Sequence, residues 1–175
     1  MERLFRIEGG GYCDCLDAPA GIAAAQAKPD MAVRPNQLLL AAFGICDARA
    51  VVLAAEELVV PGGMRSLAAG DGRYRGVYTG DEDTSRKQAY HNGTAWMWQF
   101  PLFVEALAAS GEVDRAKALS LLASSVENLN AGCLCQLSEI ADGDAPHAEK
   151  GCAAQAWSVS ELLRVLIALG GGEAR

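Results

Sequence analysis

Four short polar and aromatic segments interrupt an otherwise aliphatic chain, and they contain residue types that suit carbohydrate binding. Their sequences are RPNQ at residues 34–37, RYRGVY at 73–78, YHNGTAWMW at 90–98 and SEIADGDAPHAEKGCAAQAW at 138–157. Guanidinium, amide and carboxylate groups can hydrogen-bond neighbouring sugar hydroxyls in pairs, and an indole ring packs against the apolar C–H face of a sugar. The segments therefore predict a sugar-binding site.

Single residues in these segments have a binding and a structural interpretation. The side chains best suited to a sugar are Arg34, Asn36, Gln37, Trp96, Trp98, Asp142, Gln155 and Trp157. Each tryptophan is equally consistent with a place in the core. Arg34 stands beside a proline and is also consistent with a brace for its loop, and His91 with a structural histidine.

Glu139 is the carboxylate best placed for catalysis. Hydrolysis of a glycosidic bond needs two carboxyl groups, one that protonates the leaving oxygen and one that activates water or acts as a nucleophile. Glu139 lies between two predicted helices and is followed by the tight turn ADGDAP. A glutamate in such a loop is usually an exposed residue without a role, and this interpretation stays open.

Helical periodicity dominates the segments that must position these residues. NQLLLAAFGI predicts one helix, and Asp47 is placed to cap a second, in which Val51, Val52, Ala55, Leu58 and Val59 share a face. WMWQFPLFVEALAAS predicts a third, with Pro101 either kinking it or lying in its first turn. EVDRAKALSLLASSVENL predicts a fourth, with Leu119, Leu122, Val126 and Leu129 on one stripe. AQAWSVSELLRVLIAL predicts the last, ending at Gly170 to Gly172.

Two long polar stretches, residues 62–92 and 138–151, predict loops, and loops of such length are usually functional or disordered. Strand signals are weak. Residues 5–7 and 12–16 predict at most a short hairpin around EGGG. The chain is therefore expected to be all-α, with about five helices in antiparallel hairpins.

Composition limits the class of protein. The 175 residues include 51% hydrophobic and 21% charged residues, which predicts a single globular domain over residues 1–175. A net charge of -7 without a basic stripe argues against a nucleic-acid partner. The apolar stretches are too short to cross a membrane and the first residues lack a signal peptide, so we expect a cytoplasmic protein with no membrane partner.

The six cysteines do not show the paired C-x-x-C spacing of a zinc site. They fall as Cys13-x-Cys15, Cys46, Cys133-x-Cys135 and Cys152, and we expect most of them to be small buried thiols. No metal and no cofactor is therefore expected. A structural helical protein whose cysteines bind a metal stays open as an alternative.

The four segments resemble, in order, the motifs of the C-terminal amylo-α-1,6-glucosidase domain of glycogen debranching enzymes. That family has RPNQ entering a helix, a G-[LM]-R-[ST]-L…Y-x-G-x-Y loop, Y-H-x-G-T-V-W-P-W before a helix and SEIFDGDAPHxPRGCxAQAWSVAELLR near its end. This chain reads RPNQ, GMRSL…YRGVY, YHNGTAWMW and SEIADGDAPHAEKGCAAQAWSVSELLR at the corresponding places. The likeness covers nearly the whole chain, and the last motif is very specific.

The resemblance implies part of an (α/α)6 toroid of helical hairpins and the hydrolysis of α-1,6-linked glucose from a branched glucan such as glycogen or a limit dextrin. It implies that Glu139 is the general base for an inverting attack by water. It also implies that Tyr90, His91, Thr94 and Trp96 line the glucose pocket, while the rest of WMWQFPLF packs as an inner helix.

The chain departs from the family pattern at a few positions. Met97 stands where the family has Pro, Ala141 where it has Phe, and Glu149-Lys150 where it has Pro-Arg. The family's expected general acid belongs to an upstream TWMD-like motif that this sequence lacks. We therefore expect a C-terminal portion of the toroid that needs the N-terminal half as partner or self-associates. A non-catalytic carbohydrate-binding or regulatory module is the alternative.

Overall fold

The computed structural model describes residues 2–8 and 10–171, so Gly9 of the EGGG turn and Gly172 lie outside the described residues. Helical conformations account for 45% of the structure. The α-helices are α1 (Glu2–Phe5), α2 (Leu38–Ala42), α3 (Ala48–Ala55), α4 (Lys87–His91), α5 (Gln99–Ala109), α6 (Arg115–Leu121), α7 (Ala123–Asn128) and α8 (Ala156–Gly170). Single turns at Ala24–Gln26, Pro35–Gln37 and Glu56–Leu58 are 3-10 helices, and Glu82–Arg86 forms a π-helical turn.

Helix α5 lies at the centre of the apolar core. It packs against α2, α3, α6 and α8. Seven of its residues are buried, among them Phe100, Leu102, Phe103 and Val104. A helix that is apolar around most of its circumference must be covered on all sides, and these four neighbours cover it. The prediction of a helix in this segment is therefore confirmed for Gln99–Ala109, whereas its place as an inner helix of a toroid stays a prediction. Pro101 lies in the first turn, where its missing N–H costs no hydrogen bond.

Helix α3 follows its sequence pattern closely. The Asp47 side chain accepts a hydrogen bond from the backbone N–H of Arg49, which satisfies one of the free donors at the start of the helix. Val51, Val52 and Ala55 are buried on the predicted face. The helix is shorter than predicted, because the 3-10 turn and a strand follow Ala55 directly.

The fourth predicted helix is divided into two. Leu122 separates α6 from α7, and Asp114 caps α6 through the backbone N–H of Lys117. Since the break rotates the second part, Val126 is 43% exposed and Ser125 is buried in its place. Val126 therefore leaves the predicted stripe, whereas Leu129 packs against the core as predicted.

A five-stranded antiparallel sheet is the main difference from the all-α expectation. Its strands, in spatial order, are β3 (Val59–Val60), β4 (Gly63–Arg65), β5 (Ala95–Trp96), β6 (Ile140–Ala141) and β7 (Glu149–Lys150). Strands β4, β6 and β7 lie in the two stretches predicted as loops, and β5 lies at the start of the predicted third helix. Strands of two or three residues are too short to show an alternating pattern, which explains why the sequence did not predict them.

The first residues form a smaller β structure. The predicted hairpin is reduced to one isolated bridge between Arg6 and Tyr12. The chain then forms β1 (Cys15–Asp17), which pairs with β2 (Lys28–Asp30) in a separate antiparallel ribbon. Half of an (α/α)6 toroid and a single domain over residues 1–175 stay predictions.

The expectation that most of the cysteines are buried is wrong. Cys13 is buried, whereas Cys15, Cys133, Cys135 and Cys152 are exposed. In the part of the chain that the structure describes, no helix has the length and apolar composition that crossing a bilayer requires. The cytoplasmic location stays a prediction.

Candidate active site

The four polar and aromatic segments converge through backbone hydrogen bonds. The N–H of Gly143 donates to the carbonyl of Gly76 at 2.7 Å, and the N–H of Arg75 donates to the carbonyl of Asn92 at 2.6 Å. Strands β4, β5 and β6 pair side by side, with Trp96 opposite both Met64 and Ile140. The sheet and these bonds therefore join segments that are far apart in the sequence into one wall.

Arg34 ties the first segment to this wall. Its Nη1 donates to the carbonyls of Ser66 and His91 at 2.9 and 2.5 Å, and its Nη2 donates to Oδ1 of Asn92 at 2.8 Å. Its Nε lies 3.2 Å from Oδ2 of Asp14. Since protein groups occupy most of its donors, the geometry supports the interpretation of Arg34 as a brace. Direct sugar binding by Arg34 stays a prediction.

Both carboxylate oxygens of Glu139 are held by hydrogen bonds. Tyr90 donates its hydroxyl to Oε1, and the backbone N–H of Cys152 donates to Oε2 at 3.0 Å. The backbone of Glu139 also donates to the carbonyl of Cys152 at 2.8 Å. Burial and the bond to Glu139 raise the pKa of the Tyr90 phenol, so Tyr90 keeps its proton and stays a donor.

Glu139 faces a cavity of about 410 Å³, within the range of small-ligand sites. Tyr90 and His91 line it, as predicted for a pocket wall. The sequence reasoning missed the other lining residues, which are Tyr78, Glu82, Asp83 and Lys87. Tyr78 belongs to a recognised segment and was a detectable candidate. The other three lie in a stretch with no motif, and only the fold brings them to Glu139.

Aromatic rings separate this cavity from a second one. The ring of Tyr90 lies 5.0 Å from that of Trp96, and the imidazole of His91 stacks on Trp96 at 5.8 Å with planes 9° apart. Trp96 is only 7% exposed, and its Nε1 donates to the carbonyl of Tyr90 at 3.2 Å. The second cavity, of about 340 Å³, is lined by His91, Trp96 and Trp157 together with Arg34 and Asn36.

Three predicted binding residues are engaged within the protein. Thr94 is fully buried and donates its hydroxyl to the carbonyl of Tyr90 at 2.7 Å. Gln37 donates to the carbonyl of Arg34 and accepts from the N–H of Tyr12, both at 3.2 Å. Asn36 donates to Asp14 at 3.1 Å and keeps an exposed position at the second cavity. Their roles in sugar binding stay predictions.

The last segment supplies two further structural contacts. Oδ1 of Asp142 accepts from the backbone N–H of Tyr78 at 2.7 Å, and Oδ1 of Asp144 accepts from the hydroxyl of Tyr74 at 2.9 Å. Both aspartates therefore hold the 74–78 segment against the wall. Gln155 is the N-cap of α8, and its N–H donates to the carbonyl of Leu137 at 2.9 Å.

One cluster has metal-ligand chemistry among the described residues. Side-chain ligand atoms of Asp14, Cys15 and Asp30 lie within 4.8 Å of one another. Arg34 pairs with Asp14 and Arg73 pairs with Asp30 at 3.0 Å, so arginine charges already compensate the two carboxylates. The cluster therefore gives little support to the metal-binding alternative.

A carboxylate fixed by two hydrogen bonds, in a small-ligand cavity walled by aromatic rings, is the kind of site that glycoside hydrolases use. A family model described as amylo-alpha-1,6-glucosidase matches residues 17–164, and the chain belongs to this family. Over 63 residues the chain is 38% identical to the glycogen debranching enzyme of Saccharomyces cerevisiae. That alignment covers 33% of this chain and 4% of the yeast protein, so the chain spans a small part of that relative. The family predicted from the four segments is confirmed.

Proposed function

We propose that this chain provides the general base and part of the glucose-binding wall of an amylo-α-1,6-glucosidase that acts on branched α-glucans. The observation that carries the proposal is the position of Glu139, whose carboxylate is held at both oxygens and faces a cavity of about 410 Å³. The family match supports the substrate class.

In the proposed reaction, water attacks the anomeric carbon of the α-1,6-linked glucose from the side of Glu139. The carboxylate accepts a proton from the water as the new C–O bond forms, and a general acid protonates the departing glucan oxygen as the old C–O bond breaks. The products are glucose with inverted configuration and the shortened glucan. Tyr90 and Cys152 fix the direction from which the base meets the water.

The general acid is expected in an upstream segment. Asp142 and Asp144 are poor substitutes, because each accepts a structural hydrogen bond. Glu82 and Asp83 line the cavity of Glu139. Glu82 accepts a hydrogen bond from Arg86 at 3.0 Å, so Asp83 is the better alternative within this chain. An inverting pair stands about 6.5–9.5 Å apart across the bound sugar.

Replacing Glu139 with glutamine tests the proposal. In the active enzyme, reconstituted with the upstream segment where that is required, we expect Glu139→Gln to lower α-1,6-glucosidase turnover by about 10²- to 10⁴-fold. Glucose-type ligands should still bind, because the amide keeps the shape of the carboxylate. Glucose release from limit dextrin measures the first effect and calorimetric titration the second. Turnover close to that of the unchanged protein would show that Glu139 is not the base.

The second candidate function is a carbohydrate-binding module without catalysis. It is favoured by the engagement of Asp142 and Asp144, which leaves the last segment without a free partner for Glu139. Glucan binding that persists while no reconstituted form hydrolyses α-1,6 bonds would support this candidate over the enzyme.

A further inference from the structure

Two cysteines lie in an exposed turn that the proposed function does not use. Cys133 and Cys135 follow the end of α7, with Leu134 between them. Both cysteines are exposed, and the Leu134 side chain is 78% exposed. Accessible thiols with a second thiol nearby are typical of reversible oxidation, because the second thiol can react with the first oxidation product. The pair is therefore a candidate for thiol chemistry.

The backbone brings the two cysteines close together. The N–H of Gln136 donates to the carbonyl of Cys133 at 2.9 Å, which closes a turn over residues 133–136. Two steps of about 3.8 Å that bend at Leu134 leave about 5–6 Å between the Cα atoms of Cys133 and Cys135. Disulfides usually join Cα atoms about 4.4–6.8 Å apart, so the turn already provides this separation.

Cys135 has a backbone conformation that cysteine rarely adopts. Its φ is 58°, whereas φ at Leu134 is not positive. A negative φ followed by a positive one is the pattern of a type II turn, whose third position usually holds glycine or asparagine. A larger side chain in this left-handed region is strained, and strained residues are concentrated at functional sites. The conformation therefore agrees with a role for the Cys135 thiol.

Hydrogen bonds hold the turn on both sides. The N–H of Cys135 donates to the carbonyl of Leu129 at 2.9 Å, which joins the turn to the end of α7. After the turn, the carbonyl of the buried Leu137 accepts from the N–H of Gln155 at 2.9 Å. The two thiols are therefore presented on a turn whose flanks are fixed.

The pair suits a disulfide better than a metal ion. Structural zinc sites have four ligands, and two thiols supply only half of such a set. Within the described residues, no third metal-ligating side chain groups closely with Cys133 and Cys135. We infer that these two cysteines form a reactive dithiol site, which exchanges with low-molecular-weight disulfides such as glutathione disulfide and closes into an intramolecular disulfide.

Closure takes place in two exchange steps. The thiolate of one cysteine attacks a sulfur of glutathione disulfide, which forms a mixed disulfide and releases one glutathione thiolate. The thiolate of the other cysteine then attacks the protein sulfur of this mixed disulfide. The second step forms the S–S bond between Cys133 and Cys135 and releases the second glutathione. The pair loses two electrons and two protons, and glutathione disulfide gains them as two thiols.

Mass spectrometry of the full chain, equilibrated in glutathione buffers and quenched with acid, tests the inference. Trypsin should release residues 118–150 as one fragment, in which Cys133 and Cys135 are the only cysteines. Closure should lower the mass of this fragment by two hydrogen atoms. At a fixed ratio of oxidised to reduced glutathione, tenfold dilution of both should raise the ratio of closed to open pairs about tenfold, since closure releases two thiols for each disulfide consumed.

Two control variants and a denaturant separate the pair from single reactive thiols. Cys133→Ser and Cys135→Ser each leave one thiol in the fragment. That thiol should gain one glutathionyl group, and its modified fraction should not respond to the dilution, because a mixed disulfide releases one thiol for each disulfide consumed. For the native sequence, the ratio of closed to open pairs should be several-fold higher in the folded chain than in urea, because the turn holds the two Cα atoms together before the bond forms.

Four results would overturn the inference. The first is a 118–150 fragment whose mass does not change in oxidising buffers. The second is a cross-link between this fragment and residues 151–164, which would make Cys152 the partner. The third is a disulfide-linked dimer on a non-reducing gel in place of the closed pair. The fourth is an equal ratio in folded and urea-unfolded chains, which would show that the turn does not favour closure. None of these measurements depends on glucosidase activity, so either proposal can fail alone.

Discussion

At the scale of single residues, the site depends on how Tyr90 and Glu139 are joined. The Tyr90 hydroxyl donates to Oε1 of Glu139, and burial together with this bond raises the pKa of the phenol. A raised pKa means that the folded state holds the phenol proton more tightly than the unfolded chain does. Tyr90 therefore contributes to stability in full below about pH 10, and this contribution is lost as the pH rises through the folded-state pKa.

Tyr90→Phe should consequently change the alkaline stability of the protein. Between about pH 10 and pH 11, the melting temperature of the native protein should fall more steeply than that of Tyr90→Phe, which has no phenol at this position to ionise. Thermal melts across this range measure the slopes. Tyr74→Phe should act in the same direction, because burial and Asp144 raise the pKa of Tyr74. Parallel curves for the native and Tyr90→Phe proteins would contradict the coupling of Tyr90 to folding.

Trp96 and Trp157 should respond differently to truncation. Trp96 is nearly buried and bonded to the carbonyl of Tyr90, so Trp96→Ala should cost about 3–5 kcal/mol of unfolding free energy. Trp157→Ala should cost much less, because about half of that side chain is already in solvent. Urea unfolding of both variants checks the contrast. A stable Trp96→Ala variant with weakened sugar binding would instead identify Trp96 as a sugar platform.

The sequence predicted the residue types of the site better than their individual roles. Glu139 was singled out by its position in a loop between helices, whereas Tyr90, His91 and Trp96 were assigned to the pocket through the family resemblance. The structure brings Tyr90, His91 and Glu139 to one cavity. The roles of Arg34 and Thr94 depend on carbonyls of residues brought near by the fold, and no local pattern shows which carbonyl a donor will meet. The sequence did not point to Glu82 and Asp83 either, because only the fold brings them to the cavity of Glu139.

At the scale of elements, the longer helices were predictable, whereas the short helices α1 and α4 and the sheet were not; α4 lies in a stretch predicted as a loop. An amphipathic helix shows its buried face in its own sequence, as α3 does. Strands β3 to β7 are two or three residues long, and distant partners select them through backbone pairing. Glycines at their edges allow these segments to approach closely. A Cβ added at Gly143 would collide with the carbonyl oxygen of Gly93, a backbone atom that cannot rotate away.

Gly143→Ala should therefore destabilise the wall that carries Glu139. Overpacking at a rigid contact costs about 1–3 kcal/mol, and the same shift should lower sugar affinity. Gly70→Ala is a matched control, because no atom lies within 4 Å of its added Cβ. That variant should be neutral or more stable by about 0.4–1 kcal/mol. Chemical unfolding of both proteins makes the comparison, and equal stabilities would show that the 93–143 contact is not tight.

At the scale of the whole molecule, the chain presents apolar side chains to solvent on several elements. Phe43, Leu53, Leu163 and Ile167 are all exposed, and the last two lie on α8. Single exposed apolar residues are common on protein surfaces, and only a contiguous patch marks an interface, so self-association through them stays a prediction. An upstream partner segment likewise stays a prediction.

The isolated chain should hydrolyse α-1,6-glucosides far more slowly than an enzyme, because Glu139 cannot both activate water and protonate the leaving oxygen from the opposite face. It should also self-associate through its exposed apolar side chains. Assays on isomaltose and limit dextrin, with the mass in solution measured by light scattering, check both expectations. Rapid glucose release by a monomer would contradict them and would point to Glu82 or Asp83 as the acid. Glu82→Gln and Asp83→Asn would then tell the two apart.

The strand pairing that joins the site also determines at what point during synthesis the site can form. Trp96 in β5 pairs with residues 64 and 140, and Glu139 needs the N–H of Cys152. During synthesis, the ribosome must release the chain beyond Cys152 before the base has its second donor. Contacts between distant residues also form slowly, since they require long loops to close. Helix α8 (Ala156–Gly170), which covers one side of α5, also follows Cys152. An unfinished chain therefore lacks both the complete helical core and the second hydrogen bond that positions Glu139, the proposed base.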